Sequence, residues 1–326
     1  MNKIIIKNLD FLLDEKWAKT FFTKNTKTIF GITCQPKLLK LERSRTFNTE
    51  SFNVLYIFLV DSRKLGYRLS ASTQADRKPT YLVMKYLFDH DFNDGNILVP
   101  KPFGYFEECN GYLYENIPGK TIMYELNKNL EILKKNISLA ANGLMTLHKL
   151  PIPNFKLQNQ NRAHNWGLTA NSIKKIYPLL GSKIIEIRDD ILVQLKNDHK
   201  YYLCHGDYKV DNLIYYSDKL YIFDFGSACK GHKEFDIASF ITHLKIGLHK
   251  YGNPEHFDVL KEKFITTYAN FDKDKFNKYL ALLGLRILDY YIAFPNYEDN
   301  KEQITFGYQL AREGLKTVGY NLKDEL

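Results

Sequence analysis

Apolar side chains at Leu9, Leu12, Leu13, Trp17, Phe21 and Phe22 recur at roughly helical spacing, which predicts an opening amphipathic helix over residues 9–22. From Pro36 the period changes. Short runs rich in β-branched and aromatic residues, Lys37 to Leu41, Phe52 to Val60 and Leu65 to Ser70, then Phe103 to Phe106 and Tyr112 to Leu113, predict a small antiparallel sheet. The run Tyr81 to Phe88 reads as a helical turn or as a strand, because periodicity alone does not separate the two in a short apolar run. Pro118-Gly119 breaks the chain, and Leu133, Ile137, Ala140, Ala141, Leu144 and Leu147 then share one helical face over Leu130 to Leu150, which Pro151 ends. Residues 232–318 read as several helices, broken near Gly252-Asn253-Pro254, Asn270-Phe271-Asp272 and Pro295-Asn296. The expectation is an α+β chain, β-rich with an opening helix over 1–114 and helical over 115–326.

Composition narrows the class. Of 326 residues, 44% are hydrophobic and 14% aromatic, enough for packed cores. The formal charge of +9 attracts anionic partners at long range, but the lysines are spread along the chain, so a solvated surface is favoured over a nucleic-acid stripe. Cys34, Cys109, Cys204 and Cys229 show no C-x-x-C spacing, which argues against a zinc knuckle or a disulfide scaffold and fits a reducing compartment. The first fifteen residues carry no apolar stretch of signal-peptide length and no later run approaches a membrane span, so the expected location is the cytoplasm, away from the membrane. The terminal Lys323-Asp324-Glu325-Leu326 matches an ER-retention address, which acts only on a secreted chain and is read as coincidence.

The chemistry concentrates in Cys204-His205-Gly206-Asp207-Tyr208-Lys209-Val210-Asp211-Asn212-Leu213-Ile214 and Tyr221-Ile222-Phe223-Asp224-Phe225-Gly226. Leu213 to Tyr216 and Lys219 to Phe223 are β runs separated by Ser217-Asp218, good turn residues, so a hairpin is expected. Such a hairpin brings Asn212, entering it, opposite Asp224, leaving it, and one amide with one carboxylate suits Mg2+, which keeps waters and substrate phosphates in its shell. Asp207, on the loop before the hairpin, is then the candidate base that accepts a hydroxyl proton and orients the attacking oxygen. Lys209 is placed to neutralise charge on the γ-phosphate of ATP, and His205 to support the loop. Any one of these residues alone would pass as a turn or cap residue; together, at fixed spacing in a strand–turn–strand context, they point to phosphoryl transfer.

His205-x-Asp207-x4-Asn212 with Asp224-Phe225-Gly226 resembles the aminoglycoside phosphotransferase and choline kinase superfamily, relatives of the protein kinases. Val99-Pro100-Lys101-Pro102, the segment Tyr112 to Gly119 as an interlobe hinge, and Leu147-His148-Lys149-Leu150-Pro151 follow that family's order, over residues from about 36 to 245. The resemblance implies a two-lobed protein-kinase-like fold, with a nucleotide-covering sheet in 1–114 and the catalytic loop, metal site and acceptor pocket in 115–326. It also implies ATP as phosphoryl donor, backbone groups around Glu115 to Ile117 meeting the nucleotide, and Asp236 bracing the catalytic loop.

The sequence departs from the family in places. The loop Arg43 to Ser51, which should cover the ATP phosphates, has no glycine, leaving the hydroxyls of Ser44, Thr46 and Thr49 and the basic Arg43 and Arg45 as candidate phosphate contacts. The basic residue anchoring the phosphates is Arg68 or Lys85; Arg68 gives a tight hairpin and is favoured, with Pro79 to His90 as the small-lobe helix and Lys85 on the surface. In that register Thr80 stands near the family's glutamate, so the usual ion pair is missing or supplied elsewhere. The acceptor is expected to be a small-molecule hydroxyl of the choline or amino-alcohol, sugar or aminoglycoside class. Trp166, Tyr290 and Tyr291, with Asp289 nearby, are candidates to line an amine pocket. A protein kinase and a non-catalytic nucleotide-binding module remain as alternatives, the first lacking an evident Ala-Pro-Glu segment after Gly226.

Overall fold

The computed structural model describes residues 8–44, 50–90, 92, 95–159, 166–196, 199–293 and 300–322. By internal contacts the chain divides into two units, Met1–Lys120 with Ile214–Gly226, and Thr121–Leu213 with Ser227–Leu326. Residues 115–120 and the hairpin carrying Asp224 thus group with the β-rich part.

In the first unit a five-stranded antiparallel sheet has the order β1 (Lys37–Arg43), β2 (Ser51–Val60), β3 (Arg63–Ser72), β6 (Gly111–Glu115), β5 (Pro102–Phe106). Strand β2 alternates strictly, with Phe52, Val54, Tyr56, Phe58 and Val60 buried on one face. Its hairpin to β3 turns on Asp61 and Ser62, both at positive φ, and pairs Val60 with Arg63. Two helices, α1 (Glu15–Lys24) and α2 (Thr26–Phe30), contribute Ala18, Phe21, Phe22 and Ile29 to the core beneath that face. The opening helix starts later than its apolar spacing implies. Asp14 accepts the Trp17 N–H at 2.6 Å and caps α1, so Leu12 and its neighbours form a separate turn of 3-10 helix whose Leu12 carbonyl accepts the Tyr56 hydroxyl.

The ambiguous apolar run is helix α3 (Lys78–Asp89), with Pro79 in its first turn. Arg68 lies in the middle of β3, opposite Leu55 and Tyr114, whereas Lys85 is an exposed lysine paired with Asp89 one turn on at 2.6 Å. A second sheet joins β4 (Ile97–Leu98) to the hairpin β9 (Leu213–Tyr216) and β10 (Lys219–Ile222), whose turn residues Ser217 and Asp218 both have positive φ.

The second unit is mainly helical. Helix α4 (Leu130–Lys149) begins where the Asn129 side chain accepts the Glu131 N–H at 2.8 Å and stops before Pro151. A small sheet runs β7 (Gln158–Asn159), β11 (Cys229–Gly231), β8 (Tyr202–Cys204). Helices α5 (Asn171–Ile176), α6 (Pro178–Leu195), α7 (Lys233–Tyr251), α8 (Phe257–Tyr268), α9 (Lys273–Ala293) and α10 (Asn300–Lys316) complete it. Strand β8 delivers the chain to His205, and helix α7, which starts just after β11, belongs to the same unit as the loop 205–212. None of the four cysteines is in a disulfide, and among the described residues no helix is long and apolar enough to cross a membrane.

Candidate active site

The loop after β8 is held by a single buried carboxylate. Asp236, fully buried in the first turn of α7, accepts the His205 N–H at 2.7 Å on Oδ2 and the Gly206 N–H at 2.9 Å on Oδ1. Its Oδ2 also meets His148 Nε2 at 3.1 Å, and His148 Nδ1 meets the Tyr268 hydroxyl at 2.8 Å. A carboxylate only accepts, so Nε2 carries the hydrogen. Gly206 has φ +80°, and a Cβ there would lie 1.9 Å from the Ser227 carbonyl oxygen, so the loop passes β11's approach at a distance only glycine allows.

This fixed turn presents Asp207. Its Oδ2 accepts Lys209 Nζ at 2.7 Å and Asn212 Nδ2 at 3.3 Å, while its carbonyl accepts the same Asn212 amide at 2.8 Å. Burial pushes the Asp207 carboxyl up, but the Lys209 ammonium, His243 and the hydrogen bond from Lys209 outweigh it and hold the group below the usual carboxylate range. The neighbouring Asp211 goes the other way, raised by burial against the pull of Lys209 and His243. Asn212 is buried, and because its Nδ2 is committed to Asp207, Oδ1 is the atom left to ligate a cation.

In the first unit Asp224 is exposed and sits at φ +63°, a left-handed conformation that a non-glycine residue adopts at a cost of about 1–2 kcal/mol. A point one Cβ off Gly226 lies 3.4 Å from Asp224 Oδ1, 3.9 Å from Arg77 Nη1 and 3.9 Å from Thr80 Oγ1, so these three groups converge there. Arg77 donates to Ser51 Oγ at 3.1 Å, and its buried Nε finds no acceptor among the described residues. Arg68 donates to Asn116 Oδ1 at 2.8 Å, Ser44 Oγ at 2.9 Å and Asn53 Oδ1 at 3.4 Å. Its partners are amides and a hydroxyl, and among the described residues no carboxylate pairs with it. Thr80, buried on α3, stands where a glutamate was expected.

At the segment after β6, the Glu115 N–H goes to the Lys101 carbonyl and the Asn116 N–H to Gly66, whereas the Ile117 N–H makes no hydrogen bond among the described residues. Arg43 lies over the Phe52 ring at 3.9 Å. Thr46, Arg45 and Thr49 fall outside the described residues.

A sequence profile described as the phosphotransferase enzyme family matches residues 67–257, more than half of the chain. The chain belongs to the phosphotransferase enzyme family. No curated protein sequence matches it. Among solved structures, this phosphotransferase-family chain is similar to the ethanolamine kinase of Plasmodium vivax, at 15% identity over 96% of this chain and 91% of that one, with a TM-score of 0.61. It is similar to choline kinase LicA from Streptococcus pneumoniae, at 13% identity over 93% and 100%, TM-score 0.62. It is also similar to amicoumacin kinase hAmiN in complex with AMP-PNP, Ca2+ and Ami, at 15% identity over 93% and 94%, TM-score 0.62. These likenesses establish the kinase-like fold of this phosphotransferase-family chain.

Of the residues read as candidates for an amine pocket, several have structural partners. Asp289 Oδ1 accepts the Ser172 and Ile173 N–H groups at 2.8 and 3.0 Å and so caps α5, while Trp166 is buried against Phe235 and Tyr290 is half exposed. Sequence reasoning missed Arg77, His243 and Arg286. His243 and Arg286 lie on helices α7 and α9 at no motif distance from Asp207, and Arg77 precedes α3 in a stretch that reads only as a helix entry.

Proposed function

We propose that this phosphotransferase-family chain moves the γ-phosphate of ATP to a hydroxyl of a small molecule. The observation that carries the reading is the Asp207 carboxylate, kept ionised beside Lys209 on a loop that Asp236 fastens through two backbone N–H groups. An ionised carboxylate so held accepts the acceptor's hydroxyl proton as its oxygen attacks, and it orients that oxygen. Lys209 steadies Asp207 and faces the charge of the transferred group.

Asn212 Oδ1 and the exposed Asp224 carboxylate are hard oxygen donors of the kind Mg2+ takes, and we assign both as ligands of the nucleotide's metal. The ion, when bound, neutralises charge on the phosphate oxygens. Arg68 and Arg77 supply the basic phosphate contacts, helped by Ser44 and Thr46. With Arg77 converging on Asp224, the cradle does not depend on glycine in the covering loop. Glu115 and Ile117 flank the adenine edge, with the Ile117 N–H as donor. A cytoplasmic location fits a reaction that draws on ATP.

The test is magnesium-dependent ATP turnover by the full chain against choline, ethanolamine, sugars, aminoglycosides and hydroxy acids, for wild type, Asp207→Ala and Asp224→Ala. Transfer to one acceptor class that both substitutions abolish supports the proposal. Tight nucleotide binding with no transfer to any acceptor sinks it in favour of a non-catalytic nucleotide-binding module.

A further inference from the structure

Helices α5 and α6 meet at a corner whose apolar side chains face water. Ile176, Tyr177, Pro178 and Leu179 are consecutive and all exposed, Ile176 at 54% and Leu179 at 90%. Single exposed apolar residues are ordinary, whereas a contiguous group marks a contact surface. A side chain 90% exposed touches almost nothing, so Leu179 stands proud of its surroundings instead of lining a groove.

The corner holds these residues outward. Ile173 on α5 and Ile184 on α6 are buried, Asp289 fastens the start of α5, and Pro178 opens α6. Gly181 lets the two helices close on each other, since a Cβ there would lie 2.2 Å from Lys174 Cα and 2.4 Å from Lys174 N. A tip fixed in this way has little ordering left to pay on docking.

The charge around the tip has one sign. Residues 171–185 hold Lys174, Lys175 and Lys183, all exposed, and no aspartate or glutamate. Among the described residues none of these lysines is in an ion pair. Further along α6, Asp189 is paired with Arg188 at 2.8 Å and Asp190 accepts the Tyr320 hydroxyl. Helix α6 also opens without a side-chain cap, so the N–H groups of its first turn add positive potential at the same place.

We propose that the α5–α6 corner docks the chain on an anionic lipid surface. Ile176 and Leu179 enter the headgroup layer, Tyr177 sits at its boundary with water, and the lysines meet lipid phosphates. This attachment is independent of the phosphotransfer reading. The expectation of a place away from the membrane came from the lack of a spanning run, which contact with a surface does not require. A second copy meeting the tip about a two-fold axis would bring three lysines against three. A peptide partner needs a groove or a sheet edge, which a protruding corner does not offer. A bilayer yields around an inserted side chain and supplies the opposite charge.

The experiment sediments the full chain with phosphatidylcholine vesicles, with and without phosphatidylglycerol. Wild type is compared with Ile176→Asp/Leu179→Asp and with Lys174→Gln/Lys175→Gln/Lys183→Gln. Lys16→Gln/Lys24→Gln/Lys27→Gln removes the same charge from exposed positions elsewhere and controls for the net charge of +9. Wild type should bind only the vesicles that contain phosphatidylglycerol. The lysine variant at the tip should weaken that partitioning about 100-fold, and the aspartate variant at least tenfold. The control should stay within about threefold of wild type. Because every substituted side chain is exposed, melting midpoints and ATP turnover without vesicles should match wild type. No binding to the anionic vesicles overturns the proposal, and so does binding that the control weakens as much as the tip variants do, which is attraction by net charge alone. A concentration-dependent dimer that the aspartate variant dissolves, with no vesicle binding, overturns it in favour of a second copy.

Discussion

The Asp236→Asn substitution separates a braced catalytic loop from one that merely lies where it does. The wild-type carboxylate accepts three hydrogen bonds in a fully buried position: His205 N–H at 2.7 Å and His148 Nε2 at 3.1 Å on Oδ2, and Gly206 N–H at 2.9 Å on Oδ1. Asparagine keeps the shape and loses one acceptor. With its oxygen toward His205 and His148, its NH2 points at the Gly206 N–H, one bond is lost and a buried donor is left unsatisfied, at about 1.5–3 kcal/mol. The two surviving bonds pass from charged to neutral acceptor, which roughly halves each and adds about 1–2 kcal/mol. The sum, about 2.5–5 kcal/mol, is a large share of an ordinary folding stability of about 5–15 kcal/mol. For a unit of this size it lowers the unfolding midpoint by roughly 5–20 °C. Far-UV circular dichroism in urea gives the free energy, and ATP turnover at a temperature where the variant stays folded gives the loop. The expected result is a loss of more than 2 kcal/mol together with at least a tenfold fall in kcat. A variant within about 1 kcal/mol of wild type and within twofold of its kcat would refute the bracing argument.

Three further outcomes follow from the same geometry. Lys209→Met removes the ammonium that opposes burial at Asp207, so the acidic limb of the kcat/KM profile should move to higher pH, and an unmoved limb contradicts Asp207 as the base. Gly206→Ala must relieve a 1.9 Å contact with the Ser227 carbonyl at φ +80°, at about 2–5 kcal/mol, read as a drop in melting midpoint; a change below about 1 kcal/mol means the turn is adaptable. Arg77→Gln should raise the KM for Mg-ATP about tenfold while changing stability by less than about 1 kcal/mol, and an unchanged ATP KM removes Arg77 from the phosphate contacts.

The sequence carried the local features whose cause is local. Two-residue turns, Pro79 opening α3, the β run of β2 and the hairpin before Asp224 each depend on neighbours within a few positions, and each could be read from spacing. So could the preference for Arg68 over Lys85 as the strand residue, since Arg68 gives the tighter hairpin, and the strand pairing agrees with it. The opening helix was read too long for the same reason: apolar period continues through Leu12 and Leu13, and only the Asp14 cap interrupts it. For Asp289 and Trp166 helical spacing shows that they share a neighbourhood, but not which partners each has taken.

What spacing hides is commitment. Asp207 is one of 37 acidic residues, and its composition gives no hint that Lys209 holds it ionised against burial. Asn212 becomes a ligand candidate through one oxygen only once its NH2 is seen on the Asp207 carbonyl. Asp289 is seen to cap a helix only once both α5 donors are found on its Oδ1. The fold is shared by kinases of chemically different acceptors, and the residues on the helices after the motif carry no spacing signal of their own. There their meaning comes from the partners they hold, and the sequence alone records only that they are present.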